Sequence, residues 1–278
     1  MEKQYDKAVE TARSYYNSTD ADTFYYTIWG GEDIHIGKYL SDDESIFEAS
    51  RRTVEEMAGL CQRLDSEARV LDLGAGYGGA ARYLAKTYGC RVTALNLSET
   101  ENERDRQMNR EQGLDHLIEV IDASFEDVPC EDGAFDVVWS QDSFLHSGDR
   151  EKVIEEVGRL LKPGGEFVFT DPMKREDCSN EMLQPILDRL QLSTLGSVEF
   201  YRRAAEKHGL REQRFVDHSE QLPAHYSRVL AELEKNEAKL KGQVSEEYIA
   251  NMKKGLRHWV DGGNKGYLTW GIFLFKKA

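Results

Sequence analysis

The chain has 278 residues and a formal net charge of −15, from 36 Lys and Arg against 51 Asp and Glu. So large an acidic excess excludes a general nucleic-acid binder, which needs Lys and Arg to neutralise phosphates, and disfavours docking on anionic membranes. Hydrophobic residues at 40% allow a sizeable core, and no apolar run approaches the ~20 residues of a transmembrane helix.

The N-terminal MEKQYDKAVE lacks the apolar core of a secretion signal, so the expected location is the cytoplasm. There the four cysteines, Cys61, Cys90, Cys130 and Cys178, are expected to be reduced thiols; none forms a C-x-x-C pair and no metal site is expected. The acidity suits ordinary solubility, or a salty cytoplasm in which ions screen self-repulsion.

In chain order, KQYDKAVETARSYYN predicts a helix within residues 1–17. FYYTIWGGEDIHIGKY (24–39) has neither helical nor strand periodicity and reads as a structured loop. Ser45 to Leu64 is helical. From Arg69 short apolar runs alternate with amphipathic stretches: strands at 69–74, 91–97, 117–123, 135–140 and 165–171, helices near 79–88, 99–112 and 149–161. Near-continuous apolar strands alternating with helices predict a parallel sheet covered on both faces, hence a Rossmann-like doubly wound α/β fold. Helices at 179–192 and 197–208, a strand at 210–218, helices at 219–241 and 245–260 and a strand-like tail at 267–277 complete the chain. One domain over 1–278 is expected, with N-terminal helices and an aromatic loop (1–64), a cofactor-binding core (65–175), lid helices with a sixth strand (176–260) and a closing strand (261–278). The parts outside the core should sit over the carboxyl ends of the strands, where open α/β sheets bind ligands.

VLDLGAGYGGAARYLA (70–85) is the most informative segment. A strand ends, glycines follow at 74, 76, 78 and 79, and a helix begins. Gly74 and Gly76 let a ligand lie against the main chain, and the helix N-terminus offers free N–H groups. Gly74-x-Gly76-x-x-Gly79 also fits the dinucleotide spacing, which would make the chain a nicotinamide-dependent dehydrogenase. Asp72 argues otherwise: a carboxylate so close repels a pyrophosphate but welcomes a cationic ligand. Asn96 stands where the dinucleotide fingerprint wants Asp or Glu for the ribose. It can still hydrogen-bond a ribose, with Glu101 or Asn102 completing the contact. Asp122, followed by Ala123, Ser124 and Phe125, can accept from an adenine amino group, with Phe125 over the ring; alternatively it is a turn residue capping the next segment.

LDLGAGYGG, the Asp122–Ala123 pair and LKPGG with its following strand resemble the class I S-adenosylmethionine-dependent methyltransferases. The resemblance implies a seven-stranded sheet with the last strand antiparallel, S-adenosylmethionine as cofactor, S-adenosylhomocysteine as product, and cofactor contacts at Asp72, Gly74, Ala75, Gly76, Asn96, Leu97, Asn102, Asp122, Ala123, Ser124 and Gln141. A narrower resemblance, carried by FYYTIWGGEDIHIGKY, WSQDSFLHSGDR (139–150) and ILDRLQLSTLGSVEFYRRAAEKHGL (186–210), is to the small-amine N-methyltransferases. It is closest to those that convert sarcosine and dimethylglycine to glycine betaine, an osmoprotectant. Glycine and phosphoethanolamine are the alternative acceptors; an inactive methyltransferase fold used as a binding module is the alternative of another class. The expected partner is a small methylated amino acid.

The same resemblance implies a catalytic His146 paired with an N-terminal tyrosine, Tyr16 or its rival Tyr15; a loop histidine bonded to backbone is the plain alternative. Gln141 and Asp142 stand at a strand end, able to contact cofactor or amine. Tyr25, Tyr26 and Trp29 form either a core anchor or a cage for a methylated ammonium, with Tyr26 and Trp29 the residues taken for the substrate. An acceptor carboxylate suits an Arg fork, for which Arg189 and Arg202 in the lid helices are the candidates, unless they are surface charges.

Overall fold

The computed structural model describes residues 7–41, 43–190 and 192–278, and among these the side chains of all but residues 7, 8, 189 and 190. Seven strands form one sheet: β1 (Arg69–Leu73), β2 (Arg91–Asn96), β3 (Ile118–Asp122), β4 (Phe135–Gln141), β5 (Leu161–Thr170), β7 (Leu210–Asp217) and β9 (Gly271–Lys277). Their order is β3-β2-β1-β4-β5-β9-β7. β1 to β5 pair in parallel, while β9 runs antiparallel to both neighbours, so the closing strand is the reversed one. A short antiparallel pair, β6 (Met173–Lys174) and β8 (Leu268–Thr269), lies outside the sheet.

Strand alternation divides the core into two layers. Leu71, Leu73, Val138, Phe167 and Phe169 pack with α6 (Arg150–Leu160) and α8 (Val198–Lys207). Val70, Val92, Val137, Trp139 and Val168 pack on the other face with α3 (Ile46–Leu60) and α4 (Gly79–Tyr88). Side chains that are buried whichever face they take explain why these strands read as continuous apolar runs. The order turns back between β1 and β4, which opens a crevice beyond their carboxyl ends.

Helices α1 (Lys7–Tyr16), α2 (Thr19–Trp29), α9 (Gln221–Leu240) and α10 (Glu246–Asn264) close that crevice, while α5 (Glu99–Glu111) lies against β2 and β3 and α7 (Asn180–Leu190) packs on α10. Phe24 and Ile28 of α2 bury against Val229 and Leu233 of α9 and Met252 and Leu256 of α10. The loop expected from residue 24 is thus helical to Trp29. Ser18 caps α2 by accepting from the Ala21 N–H, and Gly30 ends it in the left-handed region. Aromatic and β-branched residues, poor helix formers alone, are held helical here by the buried stripe Ala21, Phe24, Ile28 and Trp29.

Candidate active site

The turn after β1 is built on left-handed backbone: φ is +76° at Gly74, +54° at Gly76 and +73° at Gly78. A side chain at Gly74 would collide with Ser143, its Cβ lying 2.3 Å from Oγ. The Gly74 and Ala75 N–H groups donate to the Leu95 carbonyl, tying the turn to β2.

Two cavities meet above this turn. The first, about 700 Å³, is lined by Gly74 and Gly76, by Asn96, Leu97 and Glu101, by Ser124 and Phe125, and by Gln141 to Ser143. Val9, Ala12, Arg13 and Tyr16, one face of α1, form its roof. Arg13 pairs with Glu99 at the start of α5, and Asn17 donates to the same carboxylate at 2.6 Å, latching the roof to α5. The second cavity, about 600 Å³, is walled by Tyr25, Trp29, Tyr226 and Trp259, with His35 and His225 among them. Tyr16, Ile34, Asp142 and His146 line both.

At that junction Tyr16 Oη and His146 Nε2 share a 2.9 Å hydrogen bond, which places Tyr16 rather than Tyr15 on the histidine. Tyr15 instead shares a 2.9 Å bond with Tyr248. Asp142 holds a left-handed φ of +51°, unusual for a residue with a side chain. Its carboxylate accepts from the Ile36 N–H and from Trp270 Nε1–H, both at 2.7 Å. These bonds favour the charged form while burial pushes the pKa up. Gln141 accepts from Trp139 Nε1–H and leaves its own Nε2 buried without a partner in the wall of the first cavity.

The other expected residues fall differently. Asn96 Nδ2 donates to Glu101 at 2.9 Å, and the Glu101 carboxyl, pushed up to about 7 chiefly by burial, lines the first cavity. Asn102 does not line it: its amide is used on the Asn96 carbonyl and on Asp122 at 2.6 Å. Asp122 is further held by Arg106, and neither it nor Ala123 is among the lining residues. Tyr26 is 45% exposed and lies under Arg104 beside Tyr77; one helical step turns it 100° from Tyr25, which faces the second cavity. Arg202 is drawn to Glu212 of β7 and Glu199, each at 2.7 Å, and lines neither cavity. The Arg189 side chain lies outside the described residues.

Asp72 sits beneath the glycine turn in a side pocket with Asp33 and Gln141. Its Oδ2 has no partner, and burial, then Asp105 and Asp33, pushes its pKa up to about 8. A carboxyl raised in the fold costs stability as pH climbs from its unfolded value of about 4. Asp72→Asn should therefore stabilise the ligand-free chain by about 1 kcal/mol or more, some degrees in melting temperature. The advantage should grow toward pH 8 and then level off; thermal melts of both proteins across pH check this, and a pH-independent difference would contradict the cause.

Among the described residues no group of three His, Cys, Asp or Glu side chains could hold a metal, and no helix is long and apolar enough to cross a membrane.

Residues 71–169 match the methyltransferase domain family. The chain is 64% identical over 273 residues to a sarcosine/dimethylglycine N-methyltransferase of Halorhodospira halochloris, covering 98% of both chains. It is 60% identical to a glycine/sarcosine/dimethylglycine N-methyltransferase of Actinopolyspora halophila; that match takes in 96% of this chain and 47% of the longer relative. A crystal structure from Galdieria sulphuraria, assigned as a sarcosine dimethylglycine methyltransferase, superposes with a TM-score of 0.91 at 45% identity, over 95% of this chain and 99% of that one.

Proposed function

Because this chain belongs to the sarcosine/dimethylglycine N-methyltransferases of the S-adenosylmethionine-dependent methyltransferase family, we propose that it methylates sarcosine and dimethylglycine to glycine betaine, with the acceptor nitrogen held at the Tyr16–His146 junction. The carrying observation is the pair of cavities, one with a glycine turn and polar walls, one aromatic, that share Tyr16, Asp142 and His146.

The first cavity fits S-adenosylmethionine. Its floor is a glycine cradle that side chains would obstruct, Gln141 Nε2–H is a buried donor for a carboxylate, and Glu101 with Asn96 suits ribose hydroxyls. Gly74, Gly76, Asn96, Leu97, Glu101, Ser124 and Gln141 are thus the proposed cofactor contacts, with Ala75 in the turn and Asp72 beneath it. When bound, S-adenosylmethionine supplies an electrophilic methyl group on a sulfonium.

The chain then has three tasks. The aromatic walls of the second cavity hold a methylated ammonium by cation–π attraction and exclude water. The Asp142 carboxylate, fixed by two N–H donors, places negative charge between the cavities, where positive charge must pass. The Tyr16–His146 pair orients the amine and accepts the proton that the nitrogen must shed before its lone pair is available. Orientation supplies most of the acceleration, since the leaving thioether needs no acid.

The second cavity also selects among acceptors. No Lys or Arg is among its described lining residues, so a phosphate dianion finds no counter-charge there, and glycine offers no N-methyl groups to the aromatic walls. A labelled methyl-transfer screen over glycine, sarcosine, dimethylglycine and phosphoethanolamine should give products from sarcosine and dimethylglycine. Transfer to phosphoethanolamine but to neither of these would overturn the acceptor. Trp29→Ala should raise KM for dimethylglycine about tenfold, the loss of ~1–2 kcal/mol of cation–π contact, with S-adenosylhomocysteine affinity unchanged.

A further inference from the structure

We infer that His225, as an uncharged Nε2–H donor, anchors the carboxylate of the acceptor; this rests on the amino-acid acceptor proposed above.

His225 interrupts the apolar stripe of α9, between Leu222 and Val229, and is fully buried. Its Nδ1 receives the Gly37 backbone N–H at 3.1 Å and stands 3.0 Å from Tyr39 Oη. A backbone N–H can only donate, so Nδ1 carries the lone pair and the ring proton resides on Nε2. Gly37 is packed close against α3, where a Cβ would lie 2.7 Å from Ala49 Cβ and 2.8 Å from backbone atoms of Ala49 and Ser50. Nε2–H is then a buried donor with no partner, on a residue that walls the second cavity. A buried unpartnered donor is costly, and a ligand acceptor removes that cost. Burial lowers the imidazole pKa to about 3, so the ring binds as a neutral donor.

Four other polar residues of this wall are committed or of the wrong kind. Trp29 Nε1–H donates to the His35 carbonyl, and Tyr16 is on His146. His35 Nδ1 lies 3.3 Å from the Ile36 carbonyl, which only accepts, and its Nε2 faces the Asp33 carboxylate at 3.7 Å. Asp142 is an acid. Among the described lining residues no Arg or Lys stands in the place expected for Arg189 or Arg202. A zwitterion suits this wall: its ammonium end meets the rings and Asp142, and its carboxylate meets a neutral N–H in a charge-assisted hydrogen bond.

Two amide variants separate the halves of the imidazole. His225→Asn retains an acceptor near the Nδ1 position for Gly37 but has no donor at the Nε2 position; His225→Gln reaches that position. Calorimetry would measure dimethylglycine and its carboxylate-free analogue N,N-dimethylethanolamine on the wild type and both variants, with S-adenosylhomocysteine present. The expected result is a loss in dimethylglycine affinity of about ten- to a hundredfold in His225→Asn, little change for dimethylethanolamine or S-adenosylhomocysteine, and substantial recovery in His225→Gln. A merely structural role would weaken both acceptors alike. An unchanged preference for dimethylglycine in His225→Asn overturns the inference. If that variant does not fold, His225→Phe, which fills the ring's volume without any N–H donor, takes its place: a lost preference for dimethylglycine over dimethylethanolamine supports the anchor and a retained one overturns it. Wild-type turnover tests the premise separately. An enzyme that methylates dimethylglycine while His225→Asn keeps its preference overturns only the anchor; an enzyme that methylates neither sarcosine nor dimethylglycine overturns the acceptor and the anchor with it.

Discussion

Replacing Gly76 with valine is expected to lower S-adenosylhomocysteine affinity by about two orders of magnitude, roughly 2.7 kcal/mol, in a protein that still folds. Gly76 has φ +54°, where a β-branched residue is strained by ~1–2 kcal/mol. That strain is borne by the free and the bound protein alike and falls on folding stability, so the loss of affinity comes from the space the side chain takes. A Cβ at Gly76 points into the first cavity and meets only the tip of Ile34, at 3.1 Å, so the new methyl groups occupy ligand volume rather than the core. Gly74→Val is a poorer test, because its Cβ would strike Ser143 and disturb the junction of β1 with β4. Circular dichroism establishes that Gly76→Val is folded, and calorimetry with S-adenosylhomocysteine reads the effect. Wild-type affinity would remove Gly76 from the cofactor site.

His146→Ala is expected to lower kcat by about a hundredfold, within the usual range for a positioned proton acceptor, while leaving S-adenosylhomocysteine binding within about twofold. Tyr16→Phe, which removes only the oxygen bonded to His146 Nε2, should cost about tenfold, since the imidazole remains but loses its orientation. If the two act as one unit, the double variant is little worse than His146→Ala alone. Strictly additive losses would mean that the 2.9 Å bond has no part in turnover. A rise in KM for dimethylglycine with kcat unchanged would make His146 a binding residue and leave the proton acceptor elsewhere.

The parts of this protein that depend on local physics were legible in the chain. Alternating apolar runs are satisfied as strands buried on both faces, and the turn Gly74-Ala75-Gly76 after β1 admits few conformations, so the sheet and the place of the glycine turn follow from the order of residues. Even the reversed final strand was implied by family resemblance.

What the chain did not disclose is phase and long-range pairing. Tyr25 and Tyr26 are equivalent as letters. Only the helical conformation of α2, stabilised by burial against α9 and α10, sends the first to the second cavity and the second to Arg104. Glu101 and Asn102 are likewise one helical step apart on α5, and only Glu101 faces the cavity. Arg202 suited a carboxylate by its chemistry, but strand β7 brings Glu212 to it first. His225 owes its tautomer to Gly37, 188 positions earlier, through a bond that exists only because α9 packs over the 35–39 segment. Side-chain chemistry is local and can be read from the sequence; which atoms are left without partners depends on the packing of segments distant in the chain, and the tertiary structure alone decides that.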